Sequence, residues 1–332
     1  MSNKLTFEKC NIKDWELLIN NSKQSNLFSR VFYLKNAETN FHLWKVLQGK
    51  EIKAGVCLNV DSKGKNCIED KFIIHNGIFF NLNDKRALSK RREDEFQITD
   101  FIIKNLITIY DEIFISLDPQ VNDVRPFQWF NYDNDGPKFQ IKIKYTTLLN
   151  LEELKLNKKK DEELSIFKNL EPVRRYSIRQ AIKDKCKVEF NSDPLKFLEL
   201  YKIFLKKGNP INFQNEFRVI SDICSVLLNE NRGIVTYVYN NSNDLVYSMI
   251  TGWDNCKAYY LFGVGSDKKK EPWQGTIGLW EILKYISRIK KLNIFDFEGV
   301  NSPKRGWFKL GFGGELISYY QIKYDKKKIY TN

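Results

Sequence analysis

Two carboxylates and a lysine lie close together in one stretch of the C-terminal half. The segment Phe295-Asp296-Phe297-Glu298-Gly299 alternates apolar and acidic residues, and a Pro-containing turn leads from it to Phe308-Lys309. Alternation along a strand places Asp296 and Glu298 on one face and the two phenylalanines on the other. A carboxylate in this position can take the proton of an amine nucleophile. Lys309 can stabilise an oxyanion as a point charge.

Structural roles fit the same residues. Either carboxylate can form an ion pair with Lys304 or Arg305, or cap the helix that follows. Lys309 can equally be a surface lysine whose stem packs on the two aromatic residues before it. We retain Asp296, Glu298 and Lys309 as candidate catalytic residues, with these structural roles as the alternative.

A second stretch has the composition of an anion site. After a predicted strand and a charged loop that includes Lys270, the residues Gln274-Gly275-Thr276-Ile277-Gly278 open an apolar helix. Small residues at a helix start leave backbone N–H groups accessible, and the helix dipole attracts an anion. We therefore predict Gln274, Gly275, Thr276, Gly278 and Lys270 as donor-binding residues. The alternative is a plain helix start whose glycines ease packing.

Arginines on a third segment can bind phosphate. Arg175 and Arg179 are four residues apart in a predicted helix, so they share a face and can form a fork around a phosphate group. We predict them as substrate-binding residues, and a solvated charged helix face is the alternative. The segment Asp123–Trp129 carries a capping Asp and aromatic anchors, which indicate an architectural role.

The cysteine and histidine content argues against several kinds of site. The six cysteines are scattered without a Cys-x-x-Cys pair, and the chain contains only His42 and His75. This composition disfavours a metal site and a Ser-His-Asp triad. We expect the cysteines to be reduced thiols.

The formal net charge of +13 indicates an anionic partner, although a biased Lys-rich composition explains it equally well. The N-terminal residues do not resemble a secretory signal, and the apolar runs are too short and too charged to span a bilayer. We therefore expect a cytoplasmic protein, with peripheral contact to the inner membrane face as an option.

Apolar periodicity predicts strands interspersed with helices, an α/β (α+β) organisation that includes a helix over 213–229 and a strand over 245–253. A chain of 332 residues is long for one hydrophobic core, so we expect two domains. We place the N-terminal domain at residues 1–150. The C-terminal domain, at 151–332, begins with connecting helices over 151–190 and carries the predicted site.

Both halves show the same order of elements: a strand, a helix, a strand, a short helix with a Trp-Phe pair, and a long strand. The predicted ranges are 73–80, 94–109, 113–118, 123–131 and 138–149 in the first half, and 258–263, 274–290, 293–297, 301–310 and 315–324 in the second. This order indicates a duplicated α/β module, with chance similarity of common elements as the alternative. The paired carboxylates and the lysine occur only in the second half.

Several motifs together resemble the FemAB-like branch of the GNAT acyltransferase superfamily. They are Arg174-Arg175, Ile178–Ala181, Leu279–Ile282, Phe295–Gly299, Phe308-Lys309 and Phe312–Gly314, with weaker likeness at Asp123–Trp129 and Tyr145–Leu148. The resemblance extends over residues 120–332 by motif and over 1–120 by architecture. It implies two tandem GNAT-like domains, each a mixed, mainly antiparallel sheet flanked by helices.

The resemblance also implies particular site residues. The phosphate-binding turn of the superfamily falls on Gln274–Gly278, where Gln replaces the usual Arg. The aromatic-lysine element that family members place near the scissile ester and the acceptor falls on Phe308-Lys309. We therefore take Phe308 and the neighbouring Trp307 as substrate-binding residues.

From the residues and the resemblance we predict an N-acyltransferase that uses acyl-CoA and no metal. The acceptor is an amine of a bacterial envelope glycan, nucleotide sugar, lipid-linked precursor or peptidoglycan precursor. The amine would attack the donor carbonyl directly, so that catalysis rests on positioning and oxyanion stabilisation. Two alternatives remain open: an aminoacyl-tRNA-dependent aminoacyltransferase of the cross-bridge type, and a non-catalytic glycan- or lipid-binding module on a GNAT scaffold.

Overall fold

The computed structural model describes residues 4–82, 85–155, 160–211, 213–267 and 270–328. The chain divides into two compact units: Met1–Lys144 with Ser318–Asn332, and Tyr145–Ile317. Our predicted C-terminal domain differs by including residues 318–332. The structure assigns them to the first unit because residues 321–325 pair with the strand Glu112–Ser116 there.

The first unit contains a four-stranded antiparallel sheet and, among its described residues, four α-helices. Its elements in chain order are β1 (Leu5–Lys9), α1 (Ile12–Asn21), α2 (Val31–Leu34), β2 (Asn40–Gln48), β3 (Glu51–Val60), β4 (Gly77–Phe80), α3 (Leu88–Ile109), β5 (Glu112–Ser116), α4 (Arg125–Trp129) and β6 (Gln140–Asn150). Strands β1 to β4 pair antiparallel in sequence order. The apolar side of α3 packs on this unit's core through Ile98, Ile102 and Leu106.

Two predictions for this unit need correction. The predicted strand over 73–80 is a strand only from Gly77. Before it the chain turns at Asp70, whose side chain accepts the Phe72 N–H, and Gly77 adopts a φ of +90°. Strand β1 was not expected, because a five-residue strand with one partner carries too short an alternation to stand out.

The second unit contains the predicted site. Its elements after β6 are α5 (Ser165–Lys168), α6 (Pro172–Lys183), β7 (Lys187–Asn191), α7 (Leu195–Gly208), α8 (Phe213–Asn229), β8 (Gly233–Tyr239), β9 (Leu245–Trp253), β10 (Ala258–Gly265), α9 (Gln274–Tyr285), β11 (Ile294–Gly299), α10 (Pro303–Leu310) and β12 (Glu315–Asp325). A π-helical segment, Ile286–Lys290, continues α9. The second half of β12 belongs to the first unit.

The strands of the second unit follow the order β6-β11-β10-β9-β8-β7. Every neighbouring pair is antiparallel except β10 with β11, so the sheet is mixed and mainly antiparallel, as predicted. Helix α9 is apolar almost all round because it lies inside the core, between the sheet and α6. Its fixed position determines where the residues at its first turn lie.

All six cysteines are free thiols. Within the described part of the chain, no helix combines the length and apolar character needed to cross a bilayer. The same residues contain no cluster of three or more His, Cys, Asp or Glu side chains suited to a metal ion.

Candidate functional site

Strands β10 and β11 part shortly after they begin to pair. Their parallel register covers two residue pairs, Ala258 with Phe295 and Tyr259 with Asp296. Beyond this point β10 has an irregularity between Tyr260 and Phe262, and β11 has one between Asp296 and Gly299. Such bulges bend a strand and re-aim its side chains. The sheet therefore opens where the predicted carboxylates lie.

Asp296 is a buried and fully engaged carboxylate. Its Oδ1 accepts a hydrogen bond from the Thr146 hydroxyl at 2.6 Å and one from the Glu298 N–H at 2.8 Å. Its Oδ2 lies 3.8 Å from Nζ of Lys257, and both side chains are buried. These contacts satisfy the charge of Asp296. They also make it an anchor for the backbone that follows, so Asp296 positions the site.

Glu298 is the carboxyl group that remains available. Its backbone is left-handed, with φ of +60°, an unfavourable conformation for a non-glycine residue that Asp296 holds through the Glu298 N–H. This bulge interrupts the regular alternation predicted from the sequence. Oε1 of Glu298 is buried without a hydrogen-bond partner. Burial raises the pKa of Glu298 well above the ordinary carboxyl range, against the opposing effect of Lys309.

Lys309 is buried beside the same opening. Its Nζ donates to the Gly299 carbonyl at 3.1 Å and lies 5.2 Å from the centre of the Tyr260 ring. Burial lowers the pKa of Lys309, and the charges of Glu298 and Asp296 oppose that effect. Gly306 lets α10 lie close to the backbone of Val300, because a Cβ at Gly306 would overlap the Val300 carbonyl oxygen. The surface-lysine alternative is therefore excluded.

Two tyrosines extend the polar part of the site along the sheet. The hydroxyls of Tyr247 on β9 and Tyr260 on β10 are 2.9 Å apart. Burial raises the pKa of both, so they are neutral hydroxyls at physiological pH. Gly263 leaves room for the pair, since a Cβ there would overlap both hydroxyl oxygens.

The start of α9 is packed against site residues. The Phe308 ring is the nearest neighbour of a Cβ built at Gly275, at 3.4 Å, and a Cβ at Gly278 would lie 3.0 Å from Val238. Gln274 uses its Oε1 to accept the Glu271 N–H at 2.9 Å. The space for a side chain is tight at Gly278, whereas a Cβ at Gly275 would meet its neighbours at ordinary contact distance. Lys270 is exposed, whereas Lys268 and Lys269 lie outside the described residues.

Arg174, and not the predicted pair Arg175 and Arg179, is the arginine of α6 that contacts the start of α9. Its guanidinium lies 4.5 Å from the centre of the Phe308 ring, Nη1 donates to Thr276 Oγ1 at 3.5 Å, and Nε has no hydrogen-bond partner. Burial lowers the pKa of Arg174. Arg174 thus links α6, α10 and the first turn of α9.

The predicted fork of Arg175 and Arg179 is not assembled. Arg175 donates to the Lys168 carbonyl at 2.8 Å, and Arg179 lies 3.6 Å from Glu162 at the protein surface. Both arginines are engaged in local contacts of the connecting segment. Trp307 projects into solvent from α10, whereas its neighbour Phe308 packs inward. The structure therefore brings together Asp296, Glu298, Lys309, Phe308 and the start of α9.

Comparisons with solved structures reveal the fold. A crystal structure of FemX superposes with a TM-score of 0.64 at 12% identity, covering 95% of this chain and 96% of that one. A tandem GNAT protein from the clavulanic acid biosynthesis pathway gives a TM-score of 0.56 at 10% identity, covering 99% and 100%. The fold is a FemAB-like tandem GNAT fold. No protein-family model and no curated protein matches the chain.

A third neighbour is the C-terminal domain of a putative lysylphosphatidylglycerol synthetase from Agrobacterium fabrum, with a TM-score of 0.55 at 8% identity over 94% of this chain and 91% of that one. Identities this low establish the tandem GNAT architecture alone. The coverage confirms that both halves take part in it, including the N-terminal residues for which the sequence offered no motif.

The sequence analysis did not predict five residues of the site: Thr146, Arg174, Tyr247, Lys257 and Tyr260. Thr146 and Arg174 lie within motifs that carried the family resemblance. The other three lie on or next to a strand in an ordinary alternating or apolar pattern, so nothing in their local sequence marks them. Pairing of β6 and β10 with β11 brings Thr146, Lys257 and Tyr260 to the carboxylates, and that pairing is not encoded within any one segment.

Proposed function

We propose that the second unit transfers an acyl group from acyl-CoA to an amine. The observation that carries this proposal is the parting of β10 from β11, with Oε1 of Glu298 and the Lys309 side chain buried beside the opening. Beyond Tyr259, β10 is no longer paired with β11, so the backbone groups on that edge of β10 face the opening. Backbone N–H and C=O groups on such an edge can pair with an extended ligand. A thioester donor with amides in its arm fits that requirement.

In the proposed reaction the acceptor nitrogen attacks the carbonyl carbon of the donor. The new N–C bond forms, the carbonyl oxygen becomes an oxyanion, and the bond to the donor sulfur then breaks with its electron pair leaving on sulfur. Lys309 stabilises the oxyanion in a low-dielectric environment. Glu298, whose raised pKa makes it a stronger base than an exposed carboxylate, accepts the amine proton.

Phe308 and the first turn of α9 form one wall of the proposed donor site. Arg174 contacts that turn through Thr276, and its guanidinium is the charge that we assign to the donor phosphate. Lys270 adds charge at the loop before α9. We further propose an amine of a bacterial envelope glycan or peptidoglycan precursor as the acceptor class, on the resemblance of Phe295–Gly299 and Phe308-Lys309 to motifs of the FemAB-like branch.

An aminoacyl-tRNA donor is the second candidate, and the net charge of +13 favours it. The same attack would then break an ester C–O bond instead of a thioester C–S bond. RNA binding that depends on phosphate contacts weakens steeply with salt, whereas acyl-CoA binding with few phosphate contacts does not. Binding of each donor at low and high salt therefore separates the two candidates.

The catalytic proposal is tested with Lys309→Ala and Glu298→Gln. We expect each to lower kcat by roughly 100-fold or more. For the parent, kcat/KM should rise with pH through the raised pKa of Glu298, and Glu298→Gln should lose this limb. Lys304→Ala, on the exposed part of α10, is the matched control and should keep parental activity. Normal turnover by both test variants would refute the assigned site, and ligand binding without turnover of any donor would identify a non-catalytic module.

A further inference from the structure

The hairpin of α7 and α8 exposes apolar side chains and lysines together at its tip. Ile211, in the connection, is 87% exposed, and Ile203 and Phe204, near the end of α7, are 50% and 41% exposed. Lys202, Lys206 and Lys207 of the same helix are exposed as well. We call these six residues the tip patch.

The members of the tip patch lie in the last two turns of α7 and in the connection that follows it. Helix α7 ends at Gly208, and a helix rises about 1.5 Å per residue, so Ile203 and Phe204 are within about 8 Å of the helix end. Ile211 follows three residues after that end. Four lysines and one glutamate occur in α7, which makes this helix strongly basic. Lys207 pairs with Asp267, and Lys202 lies 5.5 Å from the Phe217 ring centre.

Exposed apolar side chains with lysines beside them suit the interface between the headgroups and acyl chains of an anionic bilayer. Apolar side chains lower their free energy by entering the acyl boundary, while lysine stems lie along it and their ammonium groups reach the lipid phosphates. Charge complementarity favours this partner, since each lysine near an anionic surface strengthens binding. We propose that the tip patch docks the protein on a membrane surface that contains anionic lipid.

The same hairpin contacts the candidate site. Tyr201, two turns before the end of α7, packs edge-on against Phe262 of β10 with ring centres 5.9 Å apart. Phe262 follows the bulge that starts at Tyr260, beside Lys309. A docked hairpin therefore holds the opening of the sheet close to the lipid headgroups. Presentation of a lipid-linked amine acceptor there rests on the proposed function, whereas docking itself does not.

Co-sedimentation of the full chain with vesicles tests the docking. We expect binding to phosphatidylcholine vesicles that contain phosphatidylglycerol, little binding to phosphatidylcholine alone, and weaker binding as salt increases. The double variant Ile203→Asp/Ile211→Asp should weaken binding roughly tenfold or more. Lys202→Ala and Lys206→Ala should each weaken it about fivefold.

Matched controls lie in the first unit. Leu17→Asp changes a similarly exposed apolar side chain on α1, and Lys50→Ala removes an exposed lysine in a turn; both should bind vesicles as the parent does. The tip variants should keep acyl transfer to a soluble amine, because they leave the sheet opening intact.

Several outcomes would overturn the docking proposal. Vesicle binding that survives the Ile203→Asp/Ile211→Asp change would exclude the tip patch as the docking surface. A parent protein that binds neither kind of vesicle would refute the docking itself. A dimer in solution that this double variant converts to a monomer would show that a second copy covers the patch. Vesicle binding that depends on the tip patch, with no turnover of any donor, would support docking and refute the proposed function.

Discussion

Replacing Lys257 with methionine tests whether the buried pair of Lys257 with Asp296 anchors the site. Lys257 Nζ is 3.8 Å from Asp296 Oδ2, and the two side chains are 8% and 1% exposed. At this separation and an effective dielectric constant of about 20, the attraction is about 4 kcal/mol. Removing one partner of a buried pair costs about 3–5 kcal/mol, because the other charge stays buried. Asp296 keeps its hydrogen bonds from Thr146 and Glu298, so we expect the lower end, about 3 kcal/mol.

Urea unfolding measures this loss. The two units can unfold in separate transitions, so the midpoint and slope of the affected transition are fitted on their own. Asp296→Asn removes the charge while its amide oxygen can still accept a hydrogen bond. The double variant Lys257→Met/Asp296→Asn lacks an uncompensated charge, and we expect it to be about 2 kcal/mol more stable than the sum of the single effects.

Lys104→Met provides the control, since Lys104 and Asp100 form an exposed pair on α3 at 2.6 Å. We expect that change to cost at most about 1 kcal/mol. A Lys257→Met variant no less stable than the Lys104→Met control would refute the anchoring role of the pair. Strict additivity in the double variant would do the same, because it would show that the two charges do not interact.

Three further predictions follow from the site. Burial raises the pKa of Glu298 on folding, so its contribution to stability is complete below the ordinary glutamate pKa and is lost as pH rises through the raised value. Urea unfolding across this pH interval should show a falling free energy of unfolding for the parent but not for Glu298→Gln. Gly263→Ala should destabilise the protein by about 1–3 kcal/mol in thermal or urea unfolding, because its Cβ would overlap the Tyr247 and Tyr260 hydroxyls. Arg174→Met should lower kcat/KM about tenfold, because it removes the contact with Phe308.

Each of these three predictions has its own control. Unfolding free energies of parent and Glu298→Gln that run parallel over that pH interval would show that Glu298 is not buried as a neutral acid. Gly208→Ala, in open space at the end of α7, should be nearly neutral where Gly263→Ala is not. Arg175→Met removes a neighbouring arginine that binds the Lys168 carbonyl, and equal kinetic losses in the two arginine variants would contradict the specific role of Arg174.

Local sequence was sufficient for the elements that carry a strong period. The helix over 213–229 and the strand over 245–253 agree with the structure residue by residue, because each has a complete apolar pattern and a clear turn on either side. The strand predicted over 73–80 failed because buried apolar residues also occur in a loop when a turn residue such as Asp70 satisfies the backbone. The two units divide differently from our predicted boundary at the C-terminus, because residues 321–325 of β12 pair with β5, about 200 residues earlier in the chain.

For the site, the sequence by itself determined which residue types were available: Asp296, Glu298 and Lys309 in one stretch, with α9 just before it. Tertiary structure decided their roles. Thr146 and Lys257 contact the carboxylate of Asp296, and Asp296 in turn holds the bulge. Of the two carboxylates, Glu298 is the one that keeps a buried oxygen without a hydrogen-bond partner. Burial and electrostatic pairing depend on residues brought together by strand pairing, so the sequence of this stretch alone cannot distinguish the surroundings of the two carboxylates.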